Sequence, residues 1–211
     1  MERLRKLKNF FRLNREINLY KRDHYYYTIS SQYNYLERMM NDYSLEKTNV
    51  QTKRPIKFGY NLEFGLQPRH VVEKLGKPHF VYSNNKIQGH QIYFYKRKVY
   101  KYKIKLEIHF YNNAMFLGIY LFNEKPEEVK KIIADTCSKY SISVESFDNK
   151  NNRIADMANN VLDIDTKYNL VLAYIDQNNI SVKNLINKNK KLLPVENQKV
   201  YSAIKKFHDL L

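Results

Sequence analysis

Lys101, Lys103, Lys105, Glu107 and His109 alternate with Tyr100, Tyr102, Ile104, Leu106, Ile108 and Phe110. On a strand, residues two apart point the same way and sit about 6–7 Å from each other. The spacing therefore predicts an amphipathic strand with three ammonium groups and the His109 imidazole on its polar face. Like charges at that distance are either solvated or matched by an anion, so this face reads as an anion- or partner-binding surface. A plainly solvated sheet face accounts for the same residues. Glycines and aromatics on the polar face, as RNA-reading sheets carry them, are missing, which disfavours that mode of RNA recognition.

Reaction chemistry is harder to find. There is no glycine-rich phosphate loop and no G-x-G-x-x-G. His24, His70, His79, His90, His109 and His208 are scattered without metal-ligand spacing, so no metal and no cofactor are expected. Cys137 falls near the apolar face of a helix and reads as a buried structural thiol, not a nucleophile. Asp163 and Asp165 share a strand face and Asp176 ends the next strand. Carboxylates so placed can bind a metal or move protons, but here they read as the polar ends of a hairpin. No catalytic residue is assigned, and an enzyme is the less favoured reading.

The elements that must position these groups are partly legible. Residues 1–22 form a basic amphipathic helix, with Leu4, Leu7, Phe11 and Ile17 in its stripe and Arg5, Lys8 and Arg12 beside it. Such a helix either docks on the domain behind it or lies on an anionic membrane surface. Tyr25, Tyr26, Tyr27, Tyr33, Tyr35 and Tyr43 crowd the next stretch, where a helix is expected over residues 31–43. These tyrosines read as packing groups in preference to base-stacking ones. Residues 46–57, polar and containing Pro55, read as a linker. Strands are expected over 90–95, with a turn at Lys96-Arg97-Lys98, then over 100–110 and 114–122. Asn112-Asn113 forms the tight turn between the last two, since Asn tolerates positive φ. Pro126, Glu127 and Glu128 open a helix, and further strands are expected at 142–147, 154–164 (interrupted) and 168–175. Helices over 181–192 and 195–211 close the chain.

The organising stretch is Phe64 to Pro78. Pro68 suits the first turn of a helix, Val71, Val72 and Leu75 share one face, and Gly76 takes the C-cap before Pro78 stops the helix. Gly65, Val72, Leu75, Gly76 and Pro78, followed by a β-meander, resemble the repeat unit of the SmpA/OmlA and β-lactamase-inhibitor-protein-like (BLIP-like) fold over about residues 59–122. The resemblance implies a protein-interaction scaffold of helix-plus-meander units in tandem. The chain departs from that family in having neither a lipobox cysteine nor the inhibitors' disulfide cysteines, so no functional residue is carried over.

The fold class is therefore α+β. A basic, Tyr-rich helical region (1–50) precedes a helix-plus-meander unit (58–123), a second helix-plus-strands unit (124–176) and C-terminal helices (177–211). The chain has 211 residues, a single cysteine and a formal net charge of +16. The cysteine count excludes a disulfide framework and fits a reducing compartment, and the charge favours anionic partners. No signal sequence and no membrane span are readable, so a cytoplasmic location is expected. These features point to a non-catalytic binding or scaffold protein that engages an acidic protein or anionic surface through the sheet face and N-terminal helix. The alternative is a sequence-nonspecific nucleic-acid-binding protein.

Overall fold

The computed structural model describes residues 22–30, 33 and 47–184. The expected helices over 1–22, 31–43 and 195–211, and most of that over 181–192, lie outside the described residues; 180–184 are helical. Arg5, Lys8, Arg12, Tyr35 and Tyr43 lie outside them as well.

One eight-stranded sheet runs through the described chain in the order β1-β6-β7-β8-β5-β4-β3-β2. The strands are β1 (Thr48–Gln51), β2 (Phe80–Ser83), β3 (His90–Val99), β4 (Tyr102–Tyr111), β5 (Ala114–Phe122), β6 (Asn152–Ala155), β7 (Asn160–Asp165) and β8 (Leu170–Asp176). All pairings are antiparallel except that of β1 with β6. The fold is thus α+β, with β2 to β5 forming a meander.

Two helices lie on one face of the sheet. α1 (Pro68–Leu75) buries Val71 and Leu75, and α2 (Pro126–Lys139) buries Ile132 against the same cluster, which includes Ile104, Leu106, Ile108 and Phe110 of β4. Pro68 supplies the first turn of α1, where no amide donor is needed. Gly76 caps it with φ 74° and ψ −175°, its N–H reaching Val72 O at 2.7 Å. This is positive φ with an extended ψ, not the left-handed helical cap, and glycine alone adopts it readily. Arg97 of β3 donates its guanidinium to Leu75 O, adding a cation at the negative end of the helix.

The opposite face buries Ile92, Phe94, Phe116, Leu117, Ile119, Val161 and Ile175 beneath Tyr26, Tyr33 and Val182. Helical residues 22–30 supply Tyr26, whose ring stacks on Phe80 at 4.8 Å. Burying an aromatic ring of that size contributes about 2 kcal/mol or more. Among the described residues, no helix is long and apolar enough to cross a membrane.

Several expected elements change. The stretch 46–57 is not a linker: Thr48–Gln51 pairs with Asn152–Ala155, Lys47 anchors to the Asp163 carboxylate, and Ile56 is buried. Residues 142–147 are not a strand. Ser141 takes positive φ, and the segment turns so that Ile142 and Phe147 drop onto the core. The β3–β4 turn is not at Lys96-Arg97-Lys98. β3 continues to Val99, and the turn falls at Tyr100 and Lys101, with Tyr100 at φ 53°. The Asn112-Asn113 turn forms as expected, at φ 48° and 63°.

Candidate anion-binding face

The position of the β3–β4 turn sets what the polar face contains. Val99 pairs with Tyr102, Lys98 with Lys103, and Lys96 with Lys105. Lys96 and Lys98, which the alternation along β4 could not reveal, therefore stand directly opposite Lys103 and Lys105 on one sheet face. All four are exposed. Like charges directly opposite each other across a sheet are destabilising, by up to about 1 kcal/mol a pair. Two stacked pairs concentrate four ammonium groups within two residues' length of a hairpin.

The four are not equivalent. Lys105 Nζ donates to the Tyr25 hydroxyl at 2.8 Å and lies 5.3 Å from the ring centroid. Lys96 Nζ lies 6.0 Å over the Tyr26 ring. Helical residues 22–30 therefore occupy one side of the patch. Lys98 and Lys103 make no hydrogen bond or ion pair among the described residues. Lys101 does not join them. It sits in the turn, which swings its Nζ to Glu128 Oε1 of α2 at 2.5 Å. That bond raises the Lys101 pKa and lowers that of Glu128.

His109 is also absent from the surface. It is fully buried, and Glu107 is 4% exposed. Both point to the same side as the lysines, but Tyr33 covers them. Its hydroxyl donates to Glu107 Oε2, and its ring meets His109 edge-on at 4.7 Å and 82°. Across the hairpin, His90 Nε2 lies 3.1 Å from His109 Nδ1, and Asn84 Nδ2 lies 3.0 Å from His90 Nδ1. A bulge in β5, where His109 pairs with Leu117 and Phe110 with Met115, turns the extra residue Phe116 toward both imidazoles. Burial, reinforced by His109, pushes the His90 pKa down to about 3, and burial likewise lowers that of His109. Both shifts favour the neutral ring at pH 7.

Comparison with protein-family models, with curated proteins and with solved structures finds no match for this chain.

The remaining candidates lie in α2, β7 and β8. Cys137 is buried, which raises its thiol pKa. Asp163 pairs with Lys47 at 2.7 Å, while Asp165 and Asp176 end β7 and β8. Among the described residues, no group of three or more His, Cys, Asp or Glu side chains is placed to hold a metal ion. Of the motif residues, Val72 and Leu75 lie in α1, Gly76 caps it, and Pro78 follows. Gly65 has φ 83°, and its N–H bonds Met115 O at 2.7 Å, tying the entry to α1 onto β5.

Proposed function

We propose that this chain is a non-catalytic binding protein that holds an acidic protein segment against the face formed by Lys96, Lys98, Lys103 and Lys105. The observation that carries the reading is the pair of opposed lysine pairs, Lys96–Lys105 and Lys98–Lys103. Their mutual repulsion is relieved when carboxylates lie between them, so binding recovers an electrostatic cost already present in the free protein. α1 before β2–β5 and α2 before β6–β8 support two helix-plus-meander units sharing one sheet, the layout of a BLIP-like interaction scaffold. The single cysteine is consistent with a cytoplasmic place of action, and any basic N-terminal helix adds Arg5, Lys8 and Arg12 to the attraction.

A fluorescent deca-aspartate peptide tests the reading by anisotropy. Lys98→Glu/Lys103→Glu is expected to weaken binding by tenfold or more at low salt. Affinity unaffected by that double variant overturns the reading.

A second reading, sequence-nonspecific nucleic-acid binding, is favoured by Tyr100. This ring is 92% exposed at the hairpin tip beside the same lysines, where it can stack on an unpaired base. An unstructured oligonucleotide that outcompetes deca-aspartate, and that loses affinity on Tyr100→Ala, selects it.

A further inference from the structure

The buried cluster beside the lysines carries hydrogens in a fixed direction. Asn84 Oδ1 accepts from the backbone N–H groups of Lys86 and Ile87 at 2.9 and 3.2 Å, which fixes the orientation of its amide. Asn84 Nδ2 then donates one hydrogen to Tyr33 O and directs the other at His90 Nδ1, each at 3.0 Å. His90 Nδ1 must accept, so its proton sits on Nε2 and is donated to His109 Nδ1. His109 in turn carries its proton on Nε2. Among the described residues that atom has no hydrogen-bond partner, and it lies 3.8 Å from Glu107 Oε2, the oxygen to which Tyr33 donates.

Tyr33 is therefore held through its carbonyl by Asn84 and through its hydroxyl by Glu107, in a network that requires neutral His90. A proton added to His90 lands on Nδ1, where it faces the Asn84 amide donor. Two donors then oppose each other in a buried site, at the group that also holds the Tyr33 backbone. Glu107 faces His109, whereas the titratable neighbour acting on His90 is His109 itself. Lys105 and Lys96 lie further along the same face, Tyr25 and Tyr26 lie above them, and Arg22 acts on Tyr26 from the same helix. From β5, the Phe116 ring offers no charge.

We propose that His90 is a proton-operated latch: protonation expels Tyr33, loosens helical residues 22–30, and frees Lys96 and Lys105 for the anionic partner. The proposal rests on the binding reading above for its consequence, but not for its mechanism. With the latch open, His90 regains an ordinary pKa of about 6.5. Between pH 7.5 and 5.5 the opening equilibrium then rises about tenfold.

The test uses the full chain. Hydrogen exchange of the amides of residues 22–30, corrected for intrinsic rates, is compared at pH 7.5 and 5.5, and deca-aspartate affinity is measured in parallel. Aspartate side chains, with a pKa of about 3.9, stay charged at both values. Protection of the helix is expected to fall about tenfold at pH 5.5 and affinity to tighten severalfold. His90→Gln leaves the other histidines, His109 included, to titrate and should reduce the protection change by about tenfold. Tyr33→Phe, which removes the hydroxyl that bonds Glu107, should lower protection already at pH 7.5. Unchanged protection in the native chain overturns the latch whatever the peptide does. Lowered protection with unchanged affinity overturns its control of binding. Absence of peptide binding at either pH overturns the binding reading, and the exchange measurement still decides the latch.

Discussion

Gly118 lies in the middle of β5, between β4 and β8, with its missing side chain toward the α1–α2 face. A Cβ added there would stand 2.4, 2.7 and 2.8 Å from Cδ2, Cε2 and Cγ of Phe58. These are contacts that real Cβ atoms do not make, so Phe58 must move. It has little room: it is 1% exposed, its ring stacks on Tyr120 at 4.4 Å, and it meets Tyr174 edge-on at 5.5 Å. Overpacking of this kind costs about 1–3 kcal/mol, and partial ejection of a buried Phe forfeits part of the about 1.5–3 kcal/mol its burial contributes. Gly118→Ala is therefore expected to cost about 3 kcal/mol. For a chain of this size that corresponds to a Tm lower by about 6–12 °C. Phe58→Leu should cost less in the Gly118→Ala background than in the native one, because the smaller side chain relieves the clash, and a double-mutant cycle measures that coupling. A Tm within 1 °C of the native value, or additivity of the two changes, refutes the close approach of Phe58 to this strand.

Two further substitutions probe other features. Gly76→Ala should cost about 1–3 kcal/mol, read as a shifted urea midpoint. Because open space surrounds the position, the whole cost is backbone strain. An unchanged midpoint would show that α1 does not end in this conformation. Lys47→Met should destabilise by about 3 kcal/mol at pH 7, because it removes the ammonium bonded to the buried Asp163 carboxylate. Burial already raises the Asp163 pKa, with Lys47 opposing it. A carboxyl whose folded pKa lies above its unfolded value weakens the fold at high pH and recovers as pH falls through that folded value. The gap between variant and native Tm should therefore narrow from pH 7 toward pH 4; a constant gap contradicts this.

Local rules reached the elements whose signals are local. The bounds of α1 and β5 and the Asn112-Asn113 turn follow from Pro68, Gly76, an apolar run and two residues that tolerate positive φ. β1 and β2 escaped because four-residue edge strands such as Thr48–Gln51 and Phe80–Ser83 carry too short an alternation to separate from loop. Lys103 and Lys105 were legible, but Lys96, Lys98 and the meeting of His90 with His109 were missed because of the hairpin register. With the turn at Lys96–Lys98, His90 and His109 fall out of reach of each other. With it at Tyr100 and Lys101, His90 and His109 become diagonal neighbours, and Lys96 and Lys98 line up against Lys105 and Lys103. Tyrosine is an unusual occupant of a positive-φ turn position, so no residue type marked the true turn. Cover from a distant segment decides the rest. Nothing in the alternation of β4 tells that Tyr33, far earlier in the chain, buries Glu107 and His109 while Lys103 and Lys105 stay in water.

The parallel pairing of β1 with β6 has a consequence for how the chain acquires its structure. The meander β2 to β5 can zip up from neighbouring hairpins as soon as it leaves the ribosome. β1 leaves first, but its partner is made about a hundred residues later, a wait of about 5–20 s at ordinary rates of synthesis. β6 itself joins the sheet through β7 and β8, the last of which must dock beside β5. Of the described strands, the first to be synthesised is thus among the last to be paired. Lys47, waiting beside it, finds its carboxylate at Asp163 only when that C-terminal half has docked.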